Sequence, residues 1–387
     1  MRSIRLSSFP FAALVASAAA LAACSSASPT IESSPISHPG ESSSGGDNGS
    51  SSGNNESSSG GSSSSGTSSG AGSSSGTSSS SSSSSGAASG NTISADATWA
   101  TGMTISESTT IAAGVTVTIS PGAQITMGSG VTITVNGTLT ATTSTTHAAF
   151  TGTSWTGLVI AAGGTLNANS LDISGATTSI ASAGTAEYDS GTITGSTPFA
   201  VTAGSLTTKN ASVSAPTSAS TVTGGTFTAS YLNVQMGTMP GGLSMTGGTA
   251  NISDSTFIST DIAESPDMIV AEGSSSLTMI YSEIGGRHCS FHFDESLTSF
   301  DLENLNVHDS AYAFMMWGSA ATGGTRTVKN SNFQNMTTGI SEEGTNGPIS
   351  VEGCYFASGA AIQLTDQEIT VSTPATAALT GVGPRAQ

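Results

Sequence analysis

Three copies of one pattern stand near the C-terminus: LENLNV (Leu302–Val307), VKNSNF (Val328–Phe333) and VEGCYF (Val351–Phe356). An apolar residue opens each copy, a polar residue or glycine stands three places before its end, and a bulky apolar residue closes it. The closing residues are 26 and 23 residues apart. A pattern repeated at such a period predicts a solenoid, because each repeat can bury its apolar face only against its neighbours.

The same pattern extends back through the chain. Nine segments end on a bulky apolar anchor: Ile173, Ile193, Val213, Leu232, Phe257, Ile284, Val307, Phe333 and Phe356. Three places before each anchor stands a corner residue, in most coils one that tolerates a left-handed backbone: Ser170, Ser190, Asn210, Ala229, Asp254, Tyr281, Asn304, Asn330 and Gly353. A second apolar position follows the later anchors, at Phe291, Phe314, Ile340 and Ile362. We therefore predict coils of short parallel strands about 4.8 Å apart.

The corner column resembles the asparagine-bearing turn of the right-handed parallel β-helix, or pectin-lyase-like, family. The segments Ile111–Val117, Gly137–Ala141 and Trp155–Leu158 look like the opening coils of such domains in bacterial surface lipoproteins, myxobacterial ones in particular. The resemblance covers about Thr92–Leu364 and implies an all-β, right-handed parallel β-helix solenoid. A β-sandwich adhesin is the alternative fold, but it would show hairpin alternation and no fixed corner column.

The N-terminus has the features of an export signal. Arg2 and Arg5 precede the apolar run Phe11–Ala23, which is shorter than the roughly 20 residues of a membrane-spanning helix. The run ends in Leu21–Cys24 (LAAC), which resembles the lipobox of bacterial lipoproteins. This resemblance implies a signal peptide of residues 1–23 and a lipidated Cys24, which would anchor the exported protein to the outer membrane or cell surface.

Composition divides the rest of the chain. Residues 24–91 are rich in Ser and Gly and too poor in apolar residues to form a core, so we predict a disordered tether with a root-mean-square reach of about 45 Å. Residues 92–370 are assigned to the β-helix, and residues 371–387 to a C-terminal tail or cap. The pattern leaves the oligomeric state open.

Charge excludes one class of partner. Without Arg2 and Arg5 the chain has 5 basic and 25 acidic residues, a net charge of −20. Nucleic acid is therefore not an expected partner, because phosphate binding needs a basic surface. An acidic polysaccharide would also be repelled unless a cation bridged the charges.

Two cysteines lie inside the predicted domain. In an exported protein they would ordinarily suggest a disulfide. The repeat, however, places Cys289 and Cys354 three coils apart, which is about 14 Å at strand spacing and beyond disulfide reach. We therefore predict two buried free thiols.

Candidate functional residues are concentrated between Asp254 and Asp309, where eleven of the 25 acidic residues fall. In the run Arg287–Glu295, alternation predicts that His292 and Asp294 face outwards. The repeat aligns His292 with Met315, Ser341 and Gln363, and it aligns Asp294 with Trp317, Glu343 and Thr365. Trp317, His292 and Asp294 are therefore candidates for a sugar-binding patch, and His292, Asp294 and Glu343 are candidates for catalysis.

Metal sites are less well supported by the pattern. His288 and His292 would be about 13 Å apart on an extended strand, which disfavours a shared transition-metal ion. Asp261, Glu264 and Asp267 are candidates for calcium, because carboxylates in a loop bind that ion. No other cofactor is expected.

The resemblance implies polysaccharide lyases and glycoside hydrolases as the family's main enzymes. This sequence has no Asp-Asp pair and no Gly-His-Gly, and only Arg287, Arg326 and Lys329 are basic near the acidic region. No catalytic residue is therefore transferred. We expect a non-catalytic glycan-binding or surface-structural module; the alternatives are a polysaccharide lyase or glycoside hydrolase, and an adhesin that contacts other cells. An exposed carboxylate pair in a groove would favour a hydrolase, and a flat outer face would favour adhesion.

Overall fold

The computed structural model describes residues 90–142, 144–237, 241–260, 267–293, 297, 299–317, 324–343, 348–357, 361–363 and 369–387. All of them belong to one compact unit, Ser82–Gln387. The predicted signal peptide, Cys24 and nearly all of the predicted tether lie outside these residues. Every described element is a strand, and none of the described residues form a helix that could cross a membrane.

The strands form three parallel ladders that the chain visits in turn, one strand of each per coil. The first ladder contains Asn91–Ile93, Thr109–Ile111, Thr132–Val135, Gly157–Ile160, Thr178–Ser182, Thr197–Val201, Ser220–Val222, the first parts of Leu243–Ser253 and Ile269–Ile280, Cys289–Phe293, Tyr312–Trp317, Thr338–Glu343 and Ala361–Gln363. The second contains Ala97–Trp99, Thr116–Ile119, Thr138–Ala141, Thr165–Asn169, Thr185–Asp189, Ser205–Lys209, Thr226–Ser230, the remainders of Leu243–Ser253 and Ile269–Ile280, Ser299–Glu303, Arg326–Lys329, Ile349–Glu352 and Ile369–Ser372. The third contains Thr104–Ile105, Gln124–Met127, Ala148–Trp155, Leu171–Ala176, Thr192–Thr194, Ser212–Ser214, Asn233–Met236, Thr256–Ser259, Glu283–Gly285, Asn306–His308, Asn332–Gln334 and Tyr355–Phe356.

Strict alternation explains why these segments form strands. In Thr132–Val135 and Thr138–Ala141 every second residue is buried and the intervening threonines are partly exposed. Threonine and valine are both β-branched and suit a pleated, half-buried surface. The buried residues repeat in register from coil to coil, as Leu139, Leu166 and then Ala186 do in the second ladder. This arrangement confirms the all-β, right-handed parallel β-helix solenoid.

The predicted corner column lies between the second and third ladders. Eight of the nine predicted corners have a positive φ: Ser170, Ser190, Asn210, Asp254, Tyr281, Asn304, Asn330 and Gly353, with values from +46° to +63°. The prediction of the ninth corner was wrong: the corner residue is Tyr231, with φ +52°, and not Ala229. Its anchor is correspondingly Val234, which pairs with Val213 and Phe257. Leu232 is buried two places before that anchor, and its apolar character produced the error.

The later anchors and the second apolar column meet in the core. Phe291, Phe314 and Ile340 are paired on successive coils of the first ladder. The ring centroids of Phe291 and Phe314 are 5.1 Å apart, and Phe333 lies 5.3 Å from Phe314. Stacked apolar side chains therefore fill the interior of the later coils.

Both described cysteines are free and buried, as predicted. The Cys289 thiol donates to the Phe291 carbonyl at 3.0 Å. Burial raises the pKa of Cys289 well above its usual range and raises the pKa of Cys354 to about 11. Both therefore remain neutral thiols and behave as small apolar side chains.

The connection from the first to the second ladder lengthens along the solenoid. Two early connections join Ser182 to Thr185 and Val201 to Ser205. Three later ones join Phe293 to Ser299, Trp317 to Arg326 and Glu343 to Ile349. The longer period of the later coils thus comes largely from chain inserted beside the strands that contain His292, Trp317 and Glu343.

Candidate functional site

One outward row of the first ladder changes character part-way along the solenoid. On successive coils it contains Val159, Ala181, Ala200, Thr221, Ser244 and Val270, and then His292, Met315, Ser341 and Gln363. The sequence alignment of the last four residues is thereby confirmed. Up to Val270 the row contains only small or aliphatic side chains, two of them hydroxyls, and at His292 an imidazole enters it.

His292 belongs to a cluster with Asp267 and His288, which we call the histidine–aspartate cluster. The Nδ1 atom of His292 is 2.6 Å from one Asp267 carboxylate oxygen, and the Nδ1 atom of His288 is 3.3 Å from the other. The wide separation expected for these imidazoles was therefore wrong. The strand begins only at Cys289, and Asp267 on the preceding coil accepts hydrogen bonds from both rings.

The cluster is partly shielded from water. The side chains of Asp267 and His292 are 11% and 16% exposed, whereas that of His288 is 37% exposed. Burial alone would raise the pKa of Asp267, but the hydrogen bonds from His292 and His288 outweigh burial and lower it. Asp267 is therefore a carboxylate at neutral pH, where it orients both imidazoles. The His288 ring also lies 5.0 Å from the ring of Tyr312.

The remaining predicted site residues are described only in part. Trp317 and Glu343 are paired on adjacent coils, as predicted, and this pairing defines their backbone positions only. Asp294 lies outside the described residues, as do the calcium candidates Asp261 and Glu264. The third calcium candidate, Asp267, uses both carboxylate oxygens in the histidine–aspartate cluster. Among the described residues no group of three metal-binding side chains is arranged to hold an ion.

A second cluster, which the sequence did not predict, lies on the third ladder. His308 Nε2 is 3.1 Å from a Glu283 carboxylate oxygen, and its Nδ1 is 2.8 Å from Asp309. Gly285 pairs with His308, and a side chain on Gly285 would clash with the imidazole, since a Cβ there would lie 2.7 Å from the ring. The repeat gave no signal for the contact between His308 and Glu283.

In this second cluster the imidazole and the two carboxylates stabilise each other's charged forms. The hydrogen bond with Glu283, helped by Asp309, raises the pKa of His308 despite partial burial. The bond from His308 lowers the pKa of Glu283, and it also lowers the pKa of Asp309. The arrangement therefore favours the protonated imidazole and the two ionised carboxylates, so neither carboxyl group is suited to act as a proton donor.

Two of the three basic residues near the acidic region are buried. Arg287 is fully buried and donates to the Gly237 carbonyl at 3.0 Å. Arg326 is 5% exposed and donates to the Leu297 carbonyl at 2.9 Å. Their guanidinium groups therefore bind backbone oxygens inside the solenoid, which leaves them unsuited to neutralise an acidic sugar.

The sequence matches no protein-family model and no curated protein. A similar solved structure is the catalytic domain of a GH87 alpha-1,3-glucanase, D1069A variant, in complex with nigerose. It is 12% identical, with a TM-score of 0.24, over 73% of this chain and 63% of that one, so this chain spans less than two thirds of its length. The coil pairing by itself establishes that this chain is a right-handed parallel β-helix.

Proposed function

We propose that this chain is a lipid-anchored cell-surface module whose solenoid binds a neutral polysaccharide without cleaving it. The observation behind the proposal is the outward row, where an imidazole held by Asp267 enters at His292 after a run of small or aliphatic side chains. Longer connections enter beside the same strands. In this proposal Trp317 stacks on a sugar ring, while His292, Asp294 and Glu343 exchange hydrogen bonds with its hydroxyls.

Two features favour binding over catalysis. A glycoside hydrolase of the usual kind needs one carboxyl group with a raised pKa to protonate the leaving group. The carboxyls of the two histidine clusters described above, Asp267, Glu283 and Asp309, have lowered pKa values. A lyase acting on uronates needs cationic side chains facing the substrate, and Arg287 and Arg326 are buried.

The decisive experiment is a screen of the soluble protein against a panel of neutral and acidic polysaccharides, scoring binding and the release of reducing or unsaturated ends. We expect binding to a neutral polymer without release of either. Trp317→Ala should abolish that binding because the stacking surface is lost, and His292→Ala and Asp294→Asn should weaken it. Thr221→Ala is the matched control, since Thr221 lies on the same outward row three coils earlier.

Each result separates the alternatives. Product release that Asp294→Asn removes while binding persists would show that the protein is a lyase or hydrolase. If wild type and all variants bind every polymer equally, or bind none, the outward row is not a glycan site. Binding to whole cells with no affinity for any polysaccharide would favour the adhesin. Circular dichroism of each variant confirms that the fold is retained.

A further inference from the structure

The C-terminal segment runs back along the solenoid instead of leaving it. After the last strand, Ile369–Ser372, the Ala375 amide donates to the Cys354 carbonyl at 2.9 Å. Further on, the Gly383 amide donates to the Asn304 carbonyl at 2.8 Å. The side chain of the last residue, Gln387, donates to Asn210. Residues 375–387 therefore pass the corner column from Gly353 back to Asn210, across six coil spacings or about 29 Å.

Two contacts fix which residue of the segment meets which corner. The side-chain oxygen of Asn332 accepts a hydrogen bond from the Leu379 amide at 2.8 Å, and its side-chain nitrogen donates one to the Leu379 carbonyl at 3.0 Å. The side-chain amide of Asn332 thus bonds both the N–H and the C=O of one residue, as a neighbouring strand would. This contact sets the position of the segment along the corner column, but any residue other than proline could replace Leu379 in it, because only backbone atoms take part.

The other contact depends on the side chain of Arg385. Its Nε and one terminal nitrogen donate to the two carboxylate oxygens of Asp254 at 2.6 and 2.7 Å. Its guanidinium carbon lies 4.0 Å from the centroid of the Tyr281 ring. With the arginine in place Asp254 is only 3% exposed, and the guanidinium compensates its charge. A planar guanidinium is the one side chain that can make both contacts at once.

We propose that the corner column from Asn210 to Gly353 is a peptide-binding surface, that its ligand is the chain's own C-terminal segment 373–387, and that the contacts of Arg385 with Asp254 and Tyr281 determine recognition. The bound segment is irregular, with a positive φ at Thr373, Gly381 and Gly383, and it contributes no strand to the three ladders. Most of its side chains are exposed, and its described polar contacts are made with corner or near-corner residues. Its release therefore leaves every ladder hydrogen bond intact. This inference concerns a different face of the coil from the proposed glycan site and does not depend on it.

Hydrogen exchange in the full-length chain tests the proposal. The amides of Ala375, Leu379 and Gly383 should be protected in the wild type, because each donates to the solenoid. Arg385→Ala should speed their exchange by roughly ten- to a hundredfold, which corresponds to the loss of a charged, two-pronged hydrogen bond. Arg385→Lys should have a smaller but clear effect, since an ammonium cannot bond both oxygens and stack. Thr380→Ala, at an exposed position in the same segment, is the matched control and should change nothing.

Binding of a free peptide provides the second readout. A labelled synthetic peptide of residues 373–387 should bind full-length Arg385→Ala, whose own segment is weakened. It should bind the wild type poorly, because a tethered ligand is present at high effective concentration. The same peptide with alanine for its arginine should not bind either protein, and Asp254→Asn in the Arg385→Ala chain should abolish binding of the unchanged peptide.

Three outcomes would overturn the proposal. The segment's amides could exchange at the rate of an unfolded chain in the wild type, which would mean that it is not bound. Ladder amides such as those of Val307 and Phe333 could accelerate together with the segment in Arg385→Ala, which would make the segment an integral part of the fold. The arginine-free peptide could bind as well as the original, which would remove Arg385 from recognition.

Discussion

At the scale of single residues, the corner column is defined by backbone conformation. Left-handed conformation costs an ordinary residue roughly 1–2 kcal/mol, and asparagine, aspartate and glycine tolerate it best. Those residue types made Asn210, Asp254 and Asn304 predictable from the sequence. Tyr231 and Tyr281 adopt the same conformation without that preference. The tyrosine at 281 is favoured at its corner by the stacked guanidinium of Arg385.

Protonation of His308 gives a prediction at the same scale. The raised pKa of His308 means that its ion pairs stabilise the fold fully below the ordinary histidine pKa of about 6.5, and that this contribution fades as pH rises through the folded value. The lowered pKa values of Glu283 and Asp309 mean that the contribution also fades in acid. The melting temperature of wild type should therefore exceed that of His308→Gln most clearly near pH 5.5 to 6.5.

Thermal melts of both proteins from pH 4 to pH 9 measure this difference. The other titrating groups are common to the two chains, so the difference isolates His308. A gap that stays constant from pH 6 to pH 9 would show that His308 does not titrate between its carboxylates as described.

At the scale of elements, the stability of each coil depends on its inward anchor. Phe333 is fully buried, with its ring centroid 5.3 Å from that of Phe314 and 4.9 Å from that of Phe356 on the next coil. Phe333→Ala should lower the free energy of unfolding by about 3–5 kcal/mol, because it leaves a cavity that the neighbouring coils cannot fill. Denaturant unfolding measures the loss.

Phe333→Leu is the matched variant, since leucine keeps most of the apolar volume and should cost much less. The partly exposed Gln334 follows Phe333 on the same strand, and Gln334→Ala should leave stability nearly unchanged. Equal losses for Phe333→Ala and Gln334→Ala would mean that the anchor column does not support the coil.

At the scale of the whole molecule, the proposed anchor and tether concern residues that the structure does not describe. The resemblance of Leu21–Cys24 to a lipobox leads us to expect that Cys24→Ala moves the protein from the membrane fraction to a soluble or unprocessed form. Fractionation and metabolic labelling with a fatty acid measure this change. Ser25→Ala is the control and should remain lipidated, whereas continued lipid labelling of the Cys24→Ala protein would refute the anchor.

The sequence by itself determined the solenoid, its coil register and the free state of both described cysteines. Stacked coils must have equivalent inward and corner positions once per turn. The same residue types therefore recur in the sequence at the period of the coil. The error at Leu232 arose where two adjacent inward columns were both apolar, so that the pattern allowed a shift of two residues. The alignment of His292 with Met315 and Ser341 followed from the same period.

Only the tertiary structure decided which side chains meet outside the repeat. Asp267 contacts His288 and His292 from a neighbouring coil, and Arg385 reaches Asp254 across 131 residues of sequence. Neither contact recurs from coil to coil, because each depends on connection lengths that vary between coils and on the reach of individual side chains. A repeating pattern records only what every coil must share, and the candidate site and the bound C-terminal segment are features in which the coils differ.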